Sequence, residues 1–260
     1  MFVILKKKFL IIALVLAFVT VACCSTLNAT ASADVFFNRS NRKLPVYAVD
    51  TDEKVVALSF DAAWGADKTE KIMEILKSYD ATATFFLVGF WVDKYPETTK
   101  KIYENGFEIG THSSAHLHMS KLSEEEMKQD LSMSIDKIQS LTGATVRVFR
   151  PPYGEYNDTL ITVSKSLNVL PVQWSVDSLD WKGISAKEIS SRILSRVNDG
   201  SIILCHNNSD HIVEALPVVL SGLIAKGYKF KAVGDLVMYE NYYIDNNGVQ
   251  HSDIDGETKI

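Results

Sequence analysis

The sequence is poor in cysteine and has no excess of positive charge, and each shortage excludes a class of protein. Of its three cysteines, Cys23 and Cys24 lie in the amino-terminal segment, and only Cys205 lies in the remainder. One cysteine cannot form an internal disulfide, so a disulfide-stabilised scaffold is excluded even for an exported protein. Lysine and arginine number 27 against 32 acidic residues, a net charge of −5. This balance offers no basic footprint, and we expect no nucleic-acid partner.

The amino-terminal segment has the layout of an export signal. Three lysines at residues 6–8 precede an apolar stretch from Phe9 to about Cys24, and small residues follow up to Ala33. Residues 1–33 are therefore predicted to be a signal peptide or an uncleaved membrane anchor, although the stretch is shorter than the ~20 residues of a typical spanning helix. Either alternative places the remainder outside the cytoplasm, secreted or held at the outer face of the membrane or cell wall. Membrane contact is expected only through this segment.

The rest of the chain alternates strand-like and helix-like patterns. After a polar linker over residues 34–43, about seven strand–helix units occupy residues 44–239. Strict alternation predicts a parallel sheet, open or closed into a barrel. Since ~200 residues is small for a regular eight-unit barrel, we predict an α/β fold of the distorted or incomplete (β/α) barrel type. Residues 240–260 have few apolar side chains and are predicted to be a polar, solvated tail.

Local signals suggest where individual elements begin. Ser123 with Glu126, and Ser185 with Glu188, predict capping boxes at two helix starts, and Asp67 with Glu70 resembles a third. Residues 44–49 predict an edge strand, because a proline at position 45 has no N–H to donate to a central ladder.

Titratable residues follow five of the predicted strands. They are Asp61, His112 with His116, Arg150, Asp177 with Asp180, and His206. Taken alone, Asp61 is as consistent with capping a turn as with catalysis, and a single histidine is usually a surface or core residue. Because the carboxyl ends of parallel strands meet at one face, five such positions in succession favour a common site.

Five motifs in one order resemble the polysaccharide deacetylase family with its NodB-homology domain. They are Ser59-Phe60-Asp61, His112-Ser113-Ser114-Ala115-His116, Arg150-Pro151-Pro152-Tyr153, Asp177-Ser178-Leu179-Asp180-Trp181 and Leu204-Cys205-His206. The resemblance covers about Leu44 to Tyr239. It is closest to the sporulation-associated members of Gram-positive bacteria, because residues 61–65 (Asp-Ala-Ala-Trp-Gly) look like their version of the first motif.

The resemblance implies catalytic roles for four residues. Asp61 is expected to be the general base that takes a proton from the attacking water, and Arg150 to orient its carboxylate. His206 is expected to be the general acid that protonates the leaving amine, with Asp180 beside it raising its pKa. An amide is a poor electrophile with a poor leaving group, so a base, an acid and an electrophile suit its hydrolysis.

The resemblance also implies binding roles. His112 and His116 are expected to hold a divalent metal, commonly zinc, and their spacing of four residues is that of other paired-histidine metal sites. The backbone N–H of Tyr153 is expected to help stabilise the oxyanion. Trp181 and Leu204 are expected to line the pocket that binds the methyl group of the acetyl substituent.

One position departs from the family pattern. Most members carry a second, metal-ligating aspartate after the base, and here that residue is Ala62. Catalytic zinc usually has three protein ligands, and two remain. Three alternatives stay open: Asp61 turns to bind the metal, His118 reaches in, or the metal is weak or absent.

The sequence thus predicts an exported hydrolase that removes N-acetyl groups from a glycan, peptidoglycan before chitin. The alternatives are a catalytically inactive glycan-binding relic of the fold and a hydrolase of another non-peptide C–N bond.

Overall fold

The structure is a computed structural model that describes residues 42–253. The predicted signal peptide or anchor and most of the linker lie outside the described residues. Within residues 42–253, no helix has the length and apolar character needed to cross a membrane.

Strands and helices alternate along most of the described chain. The strands are β1 (Ala48–Val49), β2 (Val55–Ala62), β3 (Thr84–Leu87), β4 (Glu108–Thr111), β5 (Val148–Phe149), β6 (Leu170–Pro171), β7 (Val176–Asp177), β8 (Ser201–His206), β9 (Lys229–Phe230), β10 (Tyr242–Ile244) and β11 (Val249–Ser252). The α-helices are α1 (Thr69–Ser78), α2 (Gly89–Lys94), α3 (Pro96–Glu104), α4 (Glu124–Thr142), α5 (Asp158–Ser166), α6 (Ala186–Arg196), α7 (Ile212–Ala225) and α8 (Val233–Leu236).

The sheet runs in the order β10-β11-β1-β8-β2-β3-β4-β5-β6, with β7 on β8 and β9 on β2. From β8 through β2 to β6 the neighbouring strands are parallel. A single parallel bridge joins Val46, just before β1, to Val172, just after β6, so the two ends of this series meet. The predicted distorted or incomplete (β/α) barrel is confirmed. All eight residues of β2 are buried, as expected for a central strand covered on both faces.

Two of the three predicted helix starts are confirmed. Ser123 caps α4 and Ser185 caps α6, each in a complete capping box with the glutamate three residues on. The third is wrong: α1 begins at Thr69 after Lys68, with no side-chain cap. Asp67 precedes the N-cap residue, Lys68, so the carboxylate is one position too early to cap the free N–H groups of the first turn.

The predicted edge position of the first strand is also wrong. β1 lies between β8, with which it pairs antiparallel, and β11, with which it pairs parallel. Pro45 is compatible with this inner position because it precedes the strand, so the ladder needs no N–H from it.

Residues 240–253 do not form the solvated tail that their composition predicted. β10 and β11 pair antiparallel, and β11 adds to β1. Gln250 of β11 is fully buried, and its side-chain amide donates to the carbonyl of Met238 (2.7 Å) and accepts from the Met238 N–H (2.8 Å). Backbone pairing and the buried amide hold the segment in place, and Tyr242 and Ile244 of β10 also pack against the apolar core.

We expect truncation after Glu240 to destabilise the protein. It removes the strand beside β1 and leaves both backbone groups of Met238 without the Gln250 amide. The melting temperature should fall by more than about 5 °C, since ~1 kcal/mol corresponds to ~2–4 °C in a domain of this size. Truncation after Asp253, which retains β11, is the matched control and should change little. Equal melting temperatures for the full chain and both truncations would contradict the docking of this segment.

Candidate active site

The carboxyl ends of the barrel strands border a cleft of roughly 670 Å³. Eight of the nine residues predicted for the site line it: Asp61, His112, His116, Tyr153, Asp180, Trp181, Leu204 and His206. The ninth, Arg150, is completely buried and contacts Asp61. The convergence predicted from the strand ends is therefore present in the structure. The roles that the resemblance implied for these residues remain predictions.

Asp61 and His206 are direct neighbours across two parallel strands. The Cα positions of Asp61 on β2 and His206 on β8 are paired in the ladder. Both side chains face the same cleft. The two residues that would act as base and acid are thus placed by the most extensively paired strands of the sheet, not by mobile loops.

Arg150 holds the Asp61 carboxylate in place. Its Nη1 donates to Asp61 Oδ1 (2.8 Å) and to Ser59 Oγ (2.9 Å), and its Nη2 donates to the carbonyl of Gln173 (3.0 Å). The guanidinium carbon lies 4.1 Å from the centre of the Phe86 ring. A buried arginine whose two Nη groups are engaged in this way fixes both the position and the charge of its carboxylate partner.

The charges around Asp61 keep it ionised. Burial raises the pKa of Asp61, but the charge and hydrogen bond of Arg150, together with the charge of His206, lower it by more, and the net pKa lies below the usual value for aspartate. An aspartate with this pKa is deprotonated at neutral pH, as a general base must be.

The two motif histidines lie beside this carboxylate. His112 Nδ1 is 2.7 Å from the carbonyl of Arg150, and its Nε2 is 3.5 Å from Asp61 Oδ2. Because a carbonyl only accepts, Nδ1 carries the proton in the neutral ring and Nε2 keeps a free lone pair. The His112 and His116 ring centres are 4.9 Å apart, and His116 Nδ1 is buried without a hydrogen-bond partner. Burial, reinforced by His112, lowers the pKa of His116 to about 4.

These residues supply part of a metal site. Two neutral imidazoles side by side are suitable ligands. Across the described chain, however, no three or more His, Cys, Asp or Glu side chains are arranged to hold a metal ion. Asp61 is engaged by Arg150, and His118 turns to Glu155 (2.9 Å) and stacks on Tyr153 (4.4 Å between ring centres). The described residues therefore do not fit a three-ligand catalytic zinc centre.

Asp180 controls both the position and the charge of His206. One carboxylate oxygen lies 2.8 Å from His206 Nδ1, and the other accepts the backbone N–H of His206, also at 2.8 Å. Burial alone lowers the pKa of His206, but the hydrogen bond and negative charge of Asp180 outweigh it, and the net pKa is raised. His206 is thereby favoured in the protonated form that a general acid needs.

Two supporting residues were not singled out from the sequence. Ser59 lies two positions before Asp61, so strand alternation places it on the same face, and its contact with Arg150 was open to prediction. The Gln173 carbonyl lies on an irregular segment between β6 and β7, and no sequence pattern pointed to it.

A barrel with an ionised carboxylate and a carboxylate-paired histidine at its carboxyl-terminal edge is typical of an acid–base hydrolase. Comparison with known proteins specifies the class. The family model for polysaccharide deacetylase matches residues 48–172. A peptidoglycan-N-acetylglucosamine deacetylase of Bacillus cereus is 31% identical over 200 residues, which cover 75% of this chain and 93% of that protein. The chain belongs to the polysaccharide deacetylase family.

Two further relatives differ in what their names record. The peptidoglycan-N-acetylmuramic acid deacetylase PdaC of Bacillus subtilis is 35% identical, over 72% of this chain and 40% of PdaC. The crystal structure of BA3943 from Bacillus anthracis, described as a CE4 family pseudoenzyme, is 32% identical and covers 74% of this chain and 68% of that one, with a TM-score of 0.72. A BA3943 mutant is described as having restored enzymatic activity. Other curated relatives are matched over 60% and 65% of their lengths, so this chain corresponds to part of those proteins.

Proposed function

We propose that this protein is an exported hydrolase that removes N-acetyl groups from a cell-wall glycan, peptidoglycan or a related polysaccharide. The observation that carries the proposal is the pairing of Asp61 with His206 across one cleft, where buried Arg150 lowers the pKa of the first and buried Asp180 raises the pKa of the second. The names of the relatives support a glycan as the substrate. The signal-like layout of residues 1–33 supports export.

The chain's own residues account for the proton transfers of amide hydrolysis. Asp61 takes a proton from water as the water oxygen bonds to the acetyl carbon, while Arg150 keeps the carboxylate in position. His206 then gives a proton to the amide nitrogen as the C–N bond breaks, leaving a free amine and acetic acid, which loses its remaining proton to solvent to become acetate. After both transfers Asp61 is protonated and His206 is neutral, so a proton must pass back before the next turnover.

The predicted divalent metal remains part of the proposal only as an ion that His112 and His116 would bind. Because the described residues lack a third ligand, none of these steps is assigned to it. The missing third ligand, at the position where Ala62 replaces an acidic residue, also favours a second candidate function. In that alternative the protein binds a glycan but does not hydrolyse it. The existence of a pseudoenzyme among the relatives supports that candidate.

The deciding experiment measures acetate release by the purified protein from peptidoglycan and from chitin oligosaccharides, with and without added zinc, together with its metal content. Acetate release supports the hydrolase. Glycan binding without release under any metal condition would replace it with the binding protein. Release confined to a non-glycan amide would indicate hydrolysis of another C–N bond.

We expect Asp180→Asn to move the alkaline limit of activity to lower pH. His206 must be protonated to act as the acid, and its raised pKa depends on the Asp180 hydrogen bond and charge. With a neutral amide at position 180, His206 loses its proton at lower pH, so kcat/KM should begin to fall earlier as pH rises. The measurement is a pH profile of kcat/KM. Asp177→Asn, which removes a cleft carboxylate that makes only a minor contribution to the pKa of His206, is the control. An unchanged alkaline limb in Asp180→Asn would contradict His206 as the acid.

A further inference from the structure

An exposed tryptophan stands at the edge of the cleft. Trp64 is 59% exposed, yet it is one of the residues that line the cleft. Its ring centre lies 5.1 Å from that of His116 and 6.4 Å from that of Phe90. A large apolar side chain exposed to solvent beside a cleft is a common feature of binding sites, because a ligand can cover its exposed face.

The backbone that presents Trp64 is fixed by buried groups. The carbonyl of the next residue, Gly65, accepts hydrogen bonds from Trp91 Nε1 (2.7 Å) and Asn207 Nδ2 (2.9 Å), and both donor residues are fully buried. Gly65 has a φ of +64°, and a Cβ there would lie 3.3 Å from the Cβ of Asn208. The backbone directly after Trp64 is therefore fixed to the interior, so binding at the indole requires little ordering of this part of the loop.

The position of Trp64 indicates which part of a ligand it would meet. It contacts His116, His116 contacts His112, and His112 Nε2 lies 3.5 Å from Asp61 Oδ2, so two imidazoles link the indole to the reacting carboxylate. A ligand group on the indole would thus lie beside His116 at the exposed edge of the cleft. A side chain of this kind positions a neighbouring part of the substrate and takes no part in the proton transfers.

We propose that Trp64 is a stacking platform for a neutral pyranose ring adjacent to the sugar whose N-acetyl group is removed. The inference rests on the proposed function for the identity of the occupant, a glycan. The apolar C–H face of a pyranose matches the open indole face, while its hydroxyls stay in water or meet the polar loop of Asn208 and Asp210, which also lines the cleft. Trp64 therefore selects oligomeric substrates over a single N-acetylated sugar.

The test compares Trp64→Ala, Trp64→Leu and Trp64→Phe with a matched control, Tyr103→Ala. Tyr103 is another exposed aromatic residue (43%), on α3, and it does not line the cleft. The probes are N-acetylglucosamine and its β-1,4-linked tetramer. Binding is measured by calorimetry in an Asp61→Asn background, so that no turnover is needed, and KM and kcat are measured separately in proteins with Asp61 intact. Because Trp64 is largely exposed, all variants should fold, and thermal melting verifies this.

We expect Trp64→Ala and Trp64→Leu to weaken tetramer binding and raise its KM about tenfold, a change of ~1.4 kcal/mol. The monosaccharide and kcat should change little, Trp64→Phe should retain most of the affinity, and Tyr103→Ala should match the parent. Three results would overturn the proposal: unchanged tetramer binding, an equal loss of affinity for monomer and tetramer, or a fall in kcat at constant KM. The last result would show that Trp64 acts through His116. A parent protein that releases no acetate but binds the tetramer through Trp64 would overturn the hydrolase and leave this inference standing.

Discussion

Asp61→Asn should lower acetate release by at least ~100-fold in a protein that remains folded. General base catalysis contributes ~10²–10⁴-fold, and asparagine cannot take the proton from water at neutral pH. The amide oxygen of asparagine retains an acceptor for Arg150 Nη1, so the buried guanidinium is not left without a partner at this position. The measurement is kcat/KM for acetate release, with circular dichroism to verify the fold.

The control for this prediction is Ser59→Ala. It removes another hydrogen-bond partner of Arg150 from the same face of β2 but leaves the carboxylate in place. A loss well below that of Asp61→Asn is expected, because Arg150 still binds Asp61. If Asp61→Asn kept more than about a tenth of the activity, Asp61 would not be the base. If Ser59→Ala lost as much as Asp61→Asn, the effect would come from displacement of Arg150.

The buried charges of the site depend on one another. Arg150 lies under Asp61 and lowers its pKa, while the Arg150 carbonyl accepts from His112 and directs the free lone pair of that ring toward the carboxylate. On the opposite side, Asp180 raises the pKa of His206. A base with a lowered pKa and an acid with a raised pKa are both in their active forms over a common pH range. The arrangement requires five side chains from separate strand ends and cannot be assigned to any one motif.

Much of this site followed from the sequence because it depends on local rules. A strand that is buried on both faces and ends in aspartate places that residue at the functional edge of a parallel sheet, and Asp61 lies there. Capping boxes at Ser123 and Ser185 involve residues only three apart, so the pattern and the contact coincide.

Features that depend on distant pairing could not be predicted in this way. The β10–β11 hairpin lies in a segment with few apolar residues and pairs with β1, about 200 residues earlier in the chain, which no local pattern reveals. The burial of Gln250 and the use of the Gln173 carbonyl by Arg150 likewise depend on tertiary neighbours. Composition alone therefore predicted a solvated tail where the structure has a strand.

Ala62 is the residue on which the choice between enzyme and relic depends. It is in register with Leu87 of β3 and, through it, with Thr111 of β4, whose hydroxyl bonds Ser134 of α4 (2.6 Å). Ala62 thus belongs to the row that faces the helices, and it is fully buried and absent from the cleft lining, whereas Ala63 lines the cleft. As the last residue of β2, Ala62 nevertheless lies where the chain leaves the ladder, close in sequence to the base.

Ala62→Asp should create a divalent-metal site with His112 and His116. The resemblance to the family implies an acidic ligand at this position. Because Ala62 lies in the helix-facing row, the new side chain has to turn toward the cleft where β2 ends for its carboxylate to join the two imidazoles and complete the usual number of ligands. We expect affinity for zinc or cobalt, measured by calorimetry, to rise more than about tenfold. Without metal, the new buried carboxylate should lower the melting temperature, and saturating zinc should restore it, because the metal binds the folded state. Acetate release should become stronger or less dependent on added metal.

Ala63→Asp is the matched control, since it adds the same charge one residue later and on the cleft wall. Because the family ligand directly follows the base, Ala63→Asp should gain little affinity, and His112→Ala combined with Ala62→Asp should abolish the gain. If Ala63→Asp gained more metal affinity than Ala62→Asp, the acidic ligand would belong at the cleft-facing position 63 and not at position 62, where the family pattern places it. A lower melting temperature in Ala62→Asp that zinc does not restore, with no metal bound, would show that residue 62 stays among the helix-facing side chains. His112 and His116 would then act as neutral imidazoles beside Asp61, and a catalytic role for the site would rest on the Asp61–Arg150 and Asp180–His206 pairs alone.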